Sequence, residues 1–364
     1  MNEQARWHNV QVYYYDDERR DDLLVDCVRP LFTSLHPRPS FFVRHWVRGP
    51  HVRLRFHTTP GDFDQVVRPA VADQMGGWLA THPSTVRLEE TALLGIHEWL
   101  AARERESGPL SPFHPDNSIQ YLPYDRRIEV LGSEAAAGML EDFYVATTEL
   151  TFAMLEHVRH GTSRLNLALD LMYATARALG SITTGYVAYR SHSEARIMHA
   201  ADPARLRAFC EQQYRSRADE LVERLDQVLG TLDSTLDSAP SSASDDVPFV
   251  REWVQEMARL QVRAQSLIAD GALTLAVPEP GAWFRDEVLA HSAFHRALGS
   301  NPDFLAMMRT SVRFHASRVL LNCCYLQLTR LGIGPIERSL LGFLVAEAVE
   351  ERFGVSAIDL VSAS

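Results

Sequence analysis

Apolar and polar positions alternate with period two in three short stretches near the start of the chain. WHNVQVYYY (7–15) is rich in aromatic and β-branched residues and stops at a charged cluster, as a strand does. FFVRHWV (41–47) and HVRLRFH (51–57) alternate in the same way and flank Arg48-Gly49-Pro50, which predicts a β-hairpin. Between the first two stretches, DDLLVDCVRPLFTSL sets Leu23, Leu24, Cys27, Leu31 and Leu35 on helical spacing after an acidic start, with Pro30 expected to kink it or to end its first half. Residues 61–82 read as a second helix. Strand, helix, hairpin, helix argues for an antiparallel sheet with helices on one face.

From about residue 134 the period changes to that of helices, over 134–158, 163–190, 203–233, 248–269, 284–298 and 303–330. The predicted class is α+β, with a sheet-containing part over 1–133 and a larger helical part over 134–364, read as one compact unit. DSTLDSAPSSASDDVP (233–248) has little to bury and is expected to be a flexible surface loop. No 20–50-residue repeat is visible, which argues against a solenoid.

Composition narrows the chemistry. The chain has 364 residues and a formal charge of -11, so binding nucleic acid through the whole surface is not expected. All 36 basic residues are arginine, and no lysine occurs. Schiff-base catalysis, a phosphate-loop lysine and a kinase lysine are thereby excluded, and any anion met by a basic side chain meets a guanidinium. Cys27, Cys210, Cys323 and Cys324 form no CxxC pair and read as reduced, buried small residues. The first residues carry no apolar signal core, and no apolar run approaches the roughly 20 residues of a membrane span. A cytoplasmic protein is expected. HExxH, GxSxG, a glycine-rich dinucleotide loop and an EF-hand are all missing, and no metal or cofactor is expected.

Three groups of residues could carry chemistry. In the hairpin, alternation sets His51, Arg53, Arg55 and His57 on one face, with Arg44 expected beside them from the partner strand and Val52, Leu54 and Phe56 opposite. The face is either a solvated strand surface with counter-carboxylates or a floor for a carboxylate, phosphate or polarised amide. Along 303–330, Ser311, His315, Arg318, Asn322, Tyr325 and Thr329 are spaced 4, 3, 4, 3, 4 within an otherwise apolar helix. Such a stripe is either a solvated face or the lining of a pocket. In GYVAYRSHSEA (185–195), Tyr189, Arg190, Ser191, His192 and Glu194 crowd together: Ser191 and Glu194 suit a helix cap, and His192 suits proton transfer.

The opening strand, the helix running into VRPLF, and FFVRHWVRGPHVRLRF together resemble the C-terminal domain of lantibiotic-type dehydratases and its thiopeptide-biosynthesis relatives. Phe41, Phe42, Arg44, His51, Arg53, Leu54 and Arg55 match the pattern of that family. Its glutamate-eliminating members share a Tyr-x-x-Glu-x-x-Arg-Tyr-Gly-Gly segment and a His-Met-x-x-Asn-Arg-Leu segment. Here Tyr121 and Arg127 match in the first, but Tyr124 stands at the acid and Glu129 and Val130 at the glycines. In the second, Tyr325 stands at the histidine while Arg330 and Leu331 persist.

The departures resemble the branch called thiopeptide pyridine synthases. The resemblance implies a formal aza-[4+2] cycloaddition between two dehydroalanines of a leader-bearing precursor peptide, with loss of water and leader and closure of a macrocycle. It implies a dehydrated, azole-containing precursor as partner, with other biosynthetic enzymes beside it, and neither nucleic acid nor membrane. Tyr325 would polarise the amide that becomes the azadiene, and His192 and Ser191 would handle protons. Arg44, His51, Arg53, Arg55, Tyr124, Arg127, Tyr189, Ser311, His315, Asn322 and Arg330 would hold substrate. Two readings compete: a stand-alone elimination subunit with altered motifs, and a non-catalytic module that carries a precursor to other enzymes.

Overall fold

The computed structural model describes residues 4–234, 246–275 and 289–362, and they form two compact units. The first runs to Gly161 and includes Thr329–Gly332; the second comprises Thr162–Leu328 and the chain from Ile333. The expected loop 233–248 lies for the most part outside the described residues, as does the start of the 284–298 segment, whose described helix is Ala293–Gly299.

The first unit holds the sheet. β1 (Arg6–Tyr13), β2 (Ser40–His45), β3 (His51–Thr58) and β4 (Ser118–Leu122) pair antiparallel in the order β2-β3-β1-β4. β4 escapes the sequence reading because it is a five-residue edge strand, half-exposed throughout, with only Ile119, Tyr121 and Leu122 to mark it. Val10, Val12, Val52, Leu54 and Phe56 are fully buried on one face, below helices at Arg20–Ser34 and Pro60–Thr81. Helices Glu134–Ala146 and Thr148–Arg159, beyond residue 133, pack on β2 and belong to this unit.

Both of these helices contain Val-Arg-Pro, at 28–30 and 67–69, and neither breaks there. The turns before each proline widen into π-helix, Leu23–Val28 and Phe63–Val67. Proline lacks the N–H of the regular ladder and its ring crowds the carbonyl four residues back; a wider turn accommodates both.

The β2–β3 register corrects one expectation. Phe41 pairs with Arg55, Val43 with Arg53, His45 with His51, and Arg44 with Val52. Paired residues share a face, so Arg44 lies on the Val52 side and His45 takes the place beside the arginines. The five-residue connection 46–50 is odd, which pairs even-numbered positions with even. Gly49 occupies its tight point at φ +104, where an added Cβ would meet Tyr15 Oη at 2.7 Å.

The second unit is helical. Arg164–Ala178 is its buried axis, with Thr175 accepting a hydrogen bond from Trp253 Nε1 at 2.9 Å. Pro335–Phe353 packs against Val187–Met198, Ala218–Asp233 and that axis. Gly185, just before the Val187–Met198 helix, has no room for a side chain: a Cβ there would lie 1.9 Å from Ala176 O. The predicted helix 303–330 is two helices, Pro302–Thr310 and Val312–Arg330, divided at Ser311, whose ψ of 115 is extended. All four cysteines are buried and free. Among the described residues, no helix is long and apolar enough to cross a membrane.

Candidate active site

Each unit carries one cluster of the candidate residues. On the sheet, the face shared by Trp7, Asn9, Gln11, Tyr13, Phe41, His45, His51, Arg53, Arg55 and His57 is polar but largely buried. His51 is fully buried; its Nδ1 donates to Gly49 O at 2.8 Å and its Nε2 accepts from Arg53 Nε at 3.1 Å. Because a guanidinium N–H only donates, Nε2 is bare and the imidazole neutral. Burial, then Arg53, pushes its pKa well below the ordinary value.

Arg55 donates to Asn9 Oδ1 and lies 4.5 Å over the Tyr124 ring. Burial, reinforced by Arg53, pushes its guanidinium down to about 9, and its Nε has no hydrogen-bond partner among the described residues. Two arginines two residues apart, with buried donors and, among the described residues, no carboxylate paired with Arg55, form a site of excess positive potential. Arg127 is held at the edge by Glu106 at 2.9 Å and by Glu104 O.

Arg44 and Arg330 serve the same unit differently. Arg44 pairs with Asp21, both nearly buried, and donates to Arg330 O at 2.8 Å. Arg330 donates to the Thr147 and Thr148 hydroxyls at 2.8 and 2.9 Å and stacks over Phe42 at 4.7 Å. Both arginines fasten the helices after residue 133 to β2.

The second cluster is built on Val187–Met198 and Val312–Arg330. His192 Nδ1 lies 3.0 Å from Tyr325 Oη. Arg338, from the following helix, lies 4.6 Å over the Tyr325 ring and donates toward Tyr325 O at 3.5 Å. Burial pushes the phenol well above its ordinary pKa, with Arg338 pulling the other way. Water reaches the His192 ring, yet the protein around it, then Arg338 and Arg318, pushes it down to about 4. At neutral pH the pair is a phenol and a neutral imidazole sharing one hydrogen, which either can donate according to the tautomer.

The other stripe residues separate. Ser311 accepts from Phe314 N at 3.2 Å and so caps the second helix; His315 Nε2 meets Arg309 O at 3.1 Å; Asn322 is exposed. Tyr189 is fully buried against Cys324 Sγ at 3.6 Å. Ser191 lies within its helix rather than at a cap, and Glu194 takes two bonds from Arg207 at 2.7 Å each. Arg338 and His295, which adjoin this cluster, were missed: they come from separate helices with no local spacing signal. Among the described residues, His45, Glu104 and Glu106 bring ligand atoms within 4.8 Å of one another, but Arg127 and Trp46 Nε1 already engage the two carboxylates.

A sheet with this arginine pattern, followed by these helices, defines a class. The family described as "Lantibiotic biosynthesis dehydratase C-term" matches residues 7–349, and the chain belongs to it. Among solved structures, the chain is similar to "Pyridine synthase, TbtD, from thiomuracin biosynthesis", at 33% identity and a TM-score of 0.77, covering 96% of this chain and 100% of that one. It shares its fold with TsrL at 24% identity and a TM-score of 0.74, covering 99% of this chain and 98% of that one. No curated protein matches the sequence.

Proposed function

We propose that this protein is a pyridine-forming enzyme of thiopeptide biosynthesis. Its substrate is a leader-bearing precursor peptide, dehydrated and azole-containing, presented in the cytoplasm by the enzymes that modify it. Two dehydroalanines of that peptide close by a formal aza-[4+2] cycloaddition, after which water and the leader peptide are lost and the macrocycle is complete. The reading rests chiefly on full-length similarity to a pyridine synthase. The Tyr325–His192 pair, where eliminating relatives resemble one another in having histidine at the first position, supports it.

The chemistry suits these residue types. The amide acylating one dehydroalanine must adopt its iminol form to act as a 2-azadiene. A protonated phenol hydrogen-bonded to its oxygen favours that form, and Tyr325 stays protonated at neutral pH. Ring closure joins CH₂ to CH₂ and the iminol carbon to the second α-carbon. Loss of the hydroxyl on the former iminol carbon as water, and of the leader from the second α-carbon as its C-terminal amide, aromatises the ring by elimination, so no external oxidant enters the balance. The entropic demand of bringing two distant residues together is large, and holding them in place supplies up to about 7–11 kcal/mol. Arg53, Arg55 and Tyr124 would hold peptide carbonyls or a carboxylate, with the Arg55 Nε as a donor awaiting an acceptor.

Mass spectrometry of such a precursor mixed with the purified protein tests the reading. The expected products are a macrocycle lighter by water and leader, and the leader as an amide. A glutamylated precursor that instead loses glutamate would point to the elimination reading. Tight binding with no conversion would point to the carrier module.

A further inference from the structure

The second unit contains a hydrogen-bonded chain that the Tyr325–His192 pair does not use. Ser191 Oγ lies 3.4 Å from His295 Nε2. On the other side of the ring, His295 Nδ1 lies 3.0 Å from Ser292 Oγ, and Ser292 Oγ lies 3.0 Å from Glu194 Oε2. Glu194 is in turn gripped by Arg207 through both carboxylate oxygens, at 2.7 Å each. Ser292, His295 and Glu194 are all buried, at 0%, 5% and 4% exposure, while Ser191 is partly open.

The hydrogen count fixes the direction of this chain. Glu194 is kept below its ordinary pKa by the Arg207 and Ser292 hydrogen bonds, which outweigh the opposing effect of its burial, and as a carboxylate it only accepts. The single Ser292 hydroxyl hydrogen therefore goes to Glu194. Ser292 Oγ also accepts from the His295 backbone N–H at 3.2 Å, so its remaining lone pair must meet a donor at Nδ1. His295 thus carries its hydrogen on Nδ1, and Nε2 presents a bare lone pair toward Ser191. Burial holds the ring neutral, with a pKa down at about 4. This is the arrangement in which a carboxylate, through an intermediary, orients an imidazole to receive a proton from a hydroxyl.

We propose that Ser191 is the proton-accepting residue of the cyclisation and that His295, Ser292 and Glu194 are its positioning residues. The proposal rests on the pyridine-forming reading, and it names which group removes the amide proton. In the step it serves, the azadiene amide N–H proton passes to Ser191 Oγ as the hydroxyl hydrogen of Ser191 passes to His295 Nε2. The imidate oxygen is held meanwhile by the Tyr325 hydroxyl. The imidazolium is stabilised through Ser292 by the Glu194 carboxylate. After ring closure the same proton returns to the former amide oxygen, now the ring hydroxyl that leaves as water. Ser191 and His192 are consecutive on one helix, and His295 is close enough to His192 to lower its pKa.

Imidazole ¹⁵N NMR of the unvaried protein at neutral pH, with His295 assigned by His295→Gln, tests the relay independently of activity. The expected signature is a protonated Nδ1 and a non-protonated Nε2, with the Nε2 resonance moving in Ser191→Ala. A protonated Nε2, or no response to Ser191→Ala, overturns the relay. Kinetics on the cyclisation substrate then test its use. Ser191→Ala and Ser292→Ala are each expected to lower kcat by about 10²-fold with KM unchanged, and the double variant to fall no further than Ser191→Ala. Rates within twofold of the parent, or losses confined to KM, contradict the assignment. A protein that shows the expected NMR signature but cyclises no precursor would sink the pyridine-forming reading while leaving the relay in place.

Discussion

At Tyr325 three surroundings act on one hydroxyl: burial, the Arg338 guanidinium over the ring, and His192 Nδ1 at 3.0 Å. Tyr325→Phe keeps the ring and its cation–π contact and removes only the hydrogen bond. Folding should survive, and cyclisation should slow by a factor matching about 2.7–4 kcal/mol, the loss seen when one transition-state donor is removed. Single-turnover rates with the cyclisation substrate check this; an unchanged rate would make Tyr325 a packing residue. Arg53 offers a contrast, since it is partly open to solvent beside the buried Arg55. Arg53→Ala is expected to weaken substrate binding by tenfold or so, against no measurable effect for Arg215→Ala, whose side chain is 68% exposed. Binding titration with a labelled precursor distinguishes them, and equal effects would make the sheet face mere surface. Exposure had to come from the structure here: Arg20, in a charged run that reads as a solvated turn, is buried and donates to Tyr14 O.

Among the elements, the helix bearing Ser191 and His192 depends on Gly185. A methyl group there would require the backbone at Ala176 to move, so Gly185→Ala should cost about 1–3 kcal/mol or more and shift Ser191 and His192 together. A lowered Tm with a lowered kcat is expected; an unchanged Tm would contradict the close approach. The three longer strands and most helices were legible because one face of each is buried and the apolar period records it. The hairpin arginines stood out as like charges clustered on the polar face of an alternating strand, and Tyr325 as part of a polar stripe in an otherwise apolar helix that falls at a motif position of the family. Arg44 was misplaced although the expected connection 48–50 is already odd, like the observed 46–50, so that even positions pair with even and Arg44 falls on the Val52 side. Ser311 was misread because a single extended residue divides two helices without disturbing their apolar spacing. His295 and Arg338 were invisible, since tertiary packing alone brings them to the Ser191 and Tyr325 helices.

At the scale of the whole molecule, buried histidines make stability depend on acidity. Burial pushes His45 and His51 well below 6.5, and His192 and His295 to about 4. Between those values and 6.5 the unfolded chain binds protons that the folded chain does not, so stability is present above about pH 6.5 and falls as the medium is acidified. Asp170, whose burial raises it to about 6, works in the opposite sense but is one group against four. Urea midpoints should decline from about pH 7 to about pH 5, and a flat profile would contradict the neutral state of these rings. The proposal's central claim is ring formation from two dehydroalanines, and the fate of one oxygen atom tests it most directly. If the amide acylating the diene dehydroalanine supplies the azadiene, its carbonyl oxygen becomes the ring hydroxyl and must leave as water. A precursor carrying ¹⁸O at that carbonyl should therefore give an unlabelled macrocycle and labelled water; a macrocycle that retains the label would contradict the cycloaddition.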